Sequence, residues 1–69
     1  MSKQPMTFSV SVDVDGIDHD ATYTVSSKVV TVQSPYGSNS TQIGGSSAEA
    51  IARLLLREII AGAKARGEL

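Results

Sequence analysis

Polar and hydrophobic residues alternate strictly along residues 6–14. The apolar positions fall on one face of an extended chain and the polar positions on the other, which is typical of a half-buried β-strand. Asp15-Gly16, directly after this run, predicts a two-residue hairpin turn. The turn sets a register that pairs Val14 with Ile17, Val12 with His19, Val10 with Ala21 and Phe8 with Tyr23. A slip of one residue would move the whole apolar row to the other face.

Ser27-Lys28 predicts a second tight turn, after which residues 29–34 form a third strand. This turn places Val25 opposite Val30 and Tyr23 opposite Val32, again on the apolar face. Pro35 has no backbone N–H for a sheet ladder, so we expect strand pairing to end there.

Residues 35–45 allow two interpretations. Gly37-Ser38 suits a type II′ turn, because glycine is favoured at the first central position. A short fourth strand would then span residues 39–43, with Val32 opposite Ile43 and Ser34 opposite Thr41. The alternative is a plain loop that leads directly into the last segment.

Residues 46–67 carry the pattern of one amphipathic helix. Ser46 and Glu49 have the spacing of a capping box, and Gly67 suits the position just after a helix. At about 100° per residue, one apolar arc covers roughly half of the circumference. The members of this arc are Ala48, Ile51, Ala52, Leu55, Leu56, Ile59, Ile60, Gly62 and Ala63.

The rest of the helix surface is divided into two parts. Arg53, Arg57 and Lys64 form a basic stripe, which is followed by a second apolar strip of mostly small residues. A single sheet needs only one apolar arc to cover it, so this strip is a candidate interaction surface. The candidate interaction residues are Ala50, Leu54, Ala61 and Ala65, with Arg53 and Arg57 beside them.

These patterns together predict an α+β domain with two layers. The first layer is an antiparallel β-meander of three strands plus a short fourth, and the second is one C-terminal helix packed on its apolar face. We expect residues 1–5 to form a disordered tail and residues 6–67 to form a single domain.

Composition narrows the function classes. A chain of 69 residues makes a marginal core, and without cysteine the stabilisation left to it is oligomerisation, which predicts a homodimer. The net charge of −1 disfavours nucleic acid as the main partner. No apolar run is long enough for a membrane helix, and the first residues lack the apolar core of a secretory signal, so we expect a cytoplasmic protein.

The acidic residues of the first hairpin and the single histidine could suggest a metal site and a catalytic base, but both are better interpreted as structural residues. The four acids from Asp13 to Asp20 lie at the first hairpin, but Thr22 stands where a calcium loop needs glutamate. His19 lies at the apolar edge of the sheet without a nucleophile at a defined spacing. We therefore predict no catalytic residue, no metal, no cofactor and no enzymatic activity.

The densest set of neutral hydrogen-bonding side chains follows Pro35. This candidate ligand loop consists of Tyr36, Ser38, Asn39, Thr41 and Gln42. Loops with such residues bind ligands, although the same residues also suit turns.

One resemblance covers most of the chain. The segment Tyr36–Ser46, followed by Leu54-Leu55-Leu56-Arg57-Glu58, resembles a group of very short bacterial proteins of unknown function. These share a Val/Thr-rich meander, a Tyr-Gly-Ser-x-Ser-Thr-Gln-x-Gly-Gly segment and a Leu-rich terminal helix. The resemblance implies the fold but no activity, substrate or site.

The leading functional hypothesis is a small non-enzymatic protein–protein interaction module that is homodimeric through its C-terminal helix. One alternative is a nucleic-acid-binding accessory protein that uses the basic stripe. The other is a small-ligand binder at residues 36–42, and a protein partner other than a second copy also remains open.

Overall fold

The computed structural model describes residues 6–69, and the predicted tail at residues 1–5 lies outside them. Four antiparallel strands form one sheet in the order β1-β2-β3-β4, and one helix packs on it. The elements are β1 (Thr7–Val14), β2 (Ile17–Ser26), β3 (Val29–Ser34), β4 (Gly37–Gln42) and α1 (Ala48–Ala65). The predicted fold class, an α+β meander with one C-terminal helix, is confirmed.

The first two hairpins have the predicted registers. Val14 faces Ile17, Val12 faces His19, Val10 faces Ala21, Phe8 faces Tyr23, Val25 faces Val30 and Tyr23 faces Val32. Asp15 and Gly16 take φ angles of 55° and 79° in the first turn. Two positive φ angles are the signature of the type I′ turn that suits the twist of adjacent strands.

The third hairpin has a register that the sequence prediction got wrong. The turn residues are Pro35 and Tyr36, so Ser34 faces Gly37. Val32 therefore faces Asn39 and Val30 faces Thr41, and Ile43 follows the strand. Ser-Pro-x-Gly is the favoured sequence of a type I turn, in which proline presets the first central φ angle. The Ser34 hydroxyl stabilises it by accepting from the Tyr36 N–H (3.2 Å) and donating to the Gly37 carbonyl (2.9 Å).

Helix α1 begins one residue later than predicted. Ser47 is the N-cap, and its hydroxyl accepts from the Ala50 N–H at 3.2 Å. The capping box between Ser46 and Glu49 was therefore wrong, and the Glu49 carboxylate instead contacts Arg53 at 3.2 Å.

The end of the helix agrees with the prediction for Gly67, which has a φ angle of 78°. The Gly67 N–H donates to the Lys64 carbonyl (3.1 Å) and the Glu68 N–H donates to the Ala63 carbonyl (2.9 Å). These two bonds form a Schellman motif, which satisfies carbonyls that would otherwise lack partners.

The core lies between one face of the sheet and the predicted arc of α1. Its fully buried side chains of largest volume are Leu56, Ile60, Val30 and Val32. Ile17 was expected in this core, but it is 60% exposed because it lies at the end of the sheet beside the first turn. The other face of the sheet, which we call the open face, carries Ser, Thr, Asp and Gln side chains and Val29, and it is uncovered within residues 6–69.

Candidate functional site

The outer side of α1 carries the apolar strip that the helical periodicity indicates. Its members Ala50, Leu54, Ala61 and Ala65 are all exposed, and Leu54 is 59% exposed. The neighbouring Leu55 and Leu56 point into the core, where they are 5% and 0% exposed. Successive leucines thus separate into one outward and two inward side chains, because each step turns about 100° around the helix.

The predicted arc is sufficient to cover the sheet. Its residues are all buried or half-buried, and the strip contributes nothing to the core cluster. Within the described chain, the strip is therefore an apolar surface without a packing partner.

The basic stripe lies beside the strip, and most of its charge is neutralised. Arg53 contacts Glu49 within the helix at 3.2 Å, and Lys64 forms an ion pair with Asp15 in the turn between β1 and β2. Arg57 is exposed and has no ion-pair partner within residues 6–69. Both existing pairs are more than half exposed, so water screens them and each contributes little to stability.

The two flanks of α1 face opposite edges of the sheet. The basic stripe faces β1, as the contact of Lys64 with Asp15 shows. The other flank faces β4, where Glu58 and Arg66 border a shallow cleft of about 290 Å³ with Tyr36 and Gly37. Arg66 is engaged there by Glu68 at 2.6 Å. The helix therefore presents the basic stripe toward one sheet edge, and Glu58 together with Arg66 toward the other.

The candidate ligand loop does not converge on one site. Tyr36 lies in the third turn, half-buried against the core, and the other four residues belong to β4, all exposed. Asn39 and Thr41 face the helix side, since they oppose Val32 and Val30. Ser38, Ser40 and Gln42 alternate with them and so face the open side. The expectation rested on the density of hydrogen-bonding side chains, and the alternation along β4 divides these residues between two faces.

The structure brings together His19 and Tyr36, a pair that sequence reasoning missed. Their ring centroids are 6.0 Å apart in an edge-on arrangement. They border a small cleft of about 260 Å³ whose walls include Ile17, Ile60 and Leu69. The two residues lie on different hairpins, so only the correct third turn could have predicted the contact.

The acidic residues of the first hairpin divide as well. Asp13 faces Asp18 across the strands, as predicted, and Asp20 faces Ser11 on the same open face. Asp15 points instead toward Lys64. Within residues 6–69, no group of three or more histidine and acidic side chains is placed to hold a metal ion.

In the part of the chain that the structure covers, no helix combines the length and apolar character needed to cross a membrane. Comparison with protein families, with curated proteins and with solved structures finds no match to this chain.

Proposed function

We propose that this protein is a small, non-enzymatic protein–protein interaction module that forms a homodimer through the outer strip of α1. The observation that carries the proposal is the 59% exposure of Leu54 in the middle of an otherwise small-residue surface. An exposed leucine alone is ordinary. Here it is flanked along the helix by Ala50, Ala61 and Ala65, whose short side chains allow a second helix to approach closely.

The size of the domain supports the same proposal. A single core in a chain of 69 residues leaves little margin of stability. Fully burying one leucine side chain contributes about 1.5–3 kcal/mol, and a two-fold dimer gains this twice. Association therefore adds a stabilisation comparable with what such a small core supplies alone. A cytoplasmic location belongs to this proposal.

The nucleic-acid alternative has less support. Of the three cations in the basic stripe, Arg53 and Lys64 are paired with carboxylates, which leaves Arg57. Binding to a phosphate backbone comes almost entirely from the cations that replace counterions, and three cations with two carboxylates beside them give little affinity. The small-ligand alternative is weakened because the predicted loop residues lie on opposite faces of β4.

The test is the solution mass of the chain. Light scattering at high micromolar concentration should give twice the mass of one chain for the wild type. Leu54→Glu places a carboxylate in the centre of the strip and should give the mass of a monomer, with an unchanged circular dichroism spectrum. Ser40→Glu adds the same charge at an exposed position of β4 and should leave the dimer intact.

Two outcomes would reject the proposal. One is a wild-type mass of a single chain at that concentration. The other is an equally stable dimer in the Leu54→Glu and Ser40→Glu variants, because the dimer contact would then lie outside the strip.

A further inference from the structure

Strand β1 forms an edge of the sheet that is open to pairing within the described residues. It is eight residues long and pairs with β2 in continuous register without a bulge. It contains no proline and no lysine, the residues that commonly protect edge strands. At its beginning, Phe8 is 39% exposed and stacks on Tyr23 at a centroid distance of 5.2 Å.

The unpaired backbone groups of this edge follow from the first turn. In a two-residue hairpin the residues that flank the turn exchange both hydrogen bonds, and the bonding then alternates along the strand. Val14 flanks the turn, so the even-numbered residues of β1 bond to β2. The N–H and C=O groups of the odd-numbered residues point away from the sheet; these residues are Thr7, Ser9, Ser11 and Asp13.

The basic stripe of α1 lies on the flank of the helix that faces this edge, as the contact of Lys64 with Asp15 shows. Lys64 marks one end of it, above the turn at Asp15. Arg53 lies eleven positions earlier on the same side, which is about 16 Å back along the helix. That length corresponds to about five residues of a strand, which is the extent of the stripe along its flank of α1. The Lys64 end of the stripe lies at the turn end of β1, so a strand added to this edge would lie beside the basic flank there.

We propose that the outer edge of β1 binds an extended peptide strand of a partner protein, with acidic side chains directed toward α1. Backbone bonds to the outward groups of β1 supply general affinity, and side chains on one face supply selectivity. Arg57 meets the peptide carboxylates directly. The exposed pairs Arg53–Glu49 and Lys64–Asp15 exchange partners at little cost, since each is worth about 0–1 kcal/mol.

Charge disfavours the two nearest alternatives. A second copy pairing through its own β1 would bring two basic stripes together, which is repulsive. The other sheet edge, β4, lies under the flank of α1 that carries Glu58 beside Arg66, so an acidic strand gains no comparable attraction there. This contact is separate from the strip that contains Leu54, and a dimer through that strip leaves β1 free.

The binding test uses a blocked eight-residue peptide, Thr-Val-Thr-Glu-Thr-Glu-Thr-Val, in which one face carries Val and Glu and the other carries Thr. The acidic face reads Val-Glu-Glu-Val in both chain directions, so the peptide can pair with β1 in a parallel or an antiparallel orientation. Titration into the ¹⁵N-labelled full chain should shift the amide signals of Thr7–Val14 and Arg57. Hydrogen exchange at Ser9 and Ser11 should slow. The same peptide with Lys in place of Glu should bind more weakly.

Variants separate the charge from the edge. Arg57→Glu should weaken binding by about two- to fivefold, the range for exposed charge pairs, and raising the salt concentration should weaken the wild type similarly. Lys28→Glu makes the same charge change at an exposed turn and should have no effect. Ser11→Pro removes one outward N–H without removing a bond to β2, and should abolish binding. If Ser11→Pro does not fold, Ser11→Lys tests the same edge by adding an edge-protecting cation.

Three results would overturn the proposal. The first is the absence of shifts in β1 at millimolar peptide. The second is equal affinity for the Lys and Glu peptides. The third is a set of β1 shifts that depends on chain concentration without peptide, which would assign the edge to a second copy. Repeating the titration with Leu54→Glu keeps this result independent of the proposed dimer.

Discussion

Two residues with side chains, Ser27 and Lys28, take left-handed backbone angles in the turn between β2 and β3. Their φ angles are 50° and 63°, a region that costs most residues with a Cβ roughly 1–2 kcal/mol. Asn-Gly is the sequence that such a type I′ turn prefers. We therefore expect the double substitution Ser27→Asn, Lys28→Gly to raise the free energy of unfolding by about 1 kcal/mol, measured by urea denaturation.

The control for this turn is Lys28→Ala. It removes the same charge as Lys28→Gly but keeps a Cβ, so it should give no gain. If Lys28→Ala raised the free energy of unfolding as much as the double substitution, the charge of Lys28 rather than its backbone conformation would limit stability.

At the scale of the element, the start of α1 depends on one of two adjacent serines. The Ser47 hydroxyl accepts a helix N–H, whereas that of Ser46 makes no such bond. Ser47→Ala should lower the free energy of unfolding by about 0.5–2 kcal/mol, the usual cost of a lost N-cap. Ser46→Ala should change it by less than about 0.5 kcal/mol in thermal or urea unfolding. If Ser46→Ala instead cost more than Ser47→Ala, Ser46 would be the N-cap and the predicted capping box with Glu49 would be correct.

The elements also show where sequence reasoning succeeds. The β1–β2 register was predictable because a strong turn and a strict apolar alternation agree. Strand β4 offers no such check, since all six of its residues are exposed and none is apolar apart from Gly37. Its register depends on the turn alone. The prediction placed the turn at Gly37-Ser38 and took Pro35 as the end of strand pairing, whereas Pro35 is itself the first residue of the turn.

The same distinction applies to the candidate site. The outward strip of α1 was predictable, because helical periodicity fixes which side each residue takes. The pairing of Lys64 with Asp15 and the contact of His19 with Tyr36 were not, because they join segments distant in sequence. The orientation of the basic stripe toward β1, on which the peptide proposal rests, follows from the first of these contacts.

At the scale of the whole molecule, stability depends on one small core between the sheet and α1, and two adjacent leucines probe it. Leu55 is 5% exposed and Leu54 is 59% exposed. Leu55→Ala should cost about 2–5 kcal/mol in dilute solution, because it leaves a cavity that a core this small cannot refill. Leu54→Ala should cost less than about 0.5 kcal/mol under the same conditions.

Concentration should then separate the roles of these leucines. A dimer raises the apparent stability as the chain concentration rises, because the partner binds only the folded form. The urea midpoint of the wild type should therefore increase with concentration, and that of Leu54→Ala should increase less. Leu55→Ala should keep the concentration dependence while starting from a lower midpoint. A wild-type midpoint that stays constant up to high micromolar chain would show that the core alone holds the fold and that the strip has no partner in a second copy.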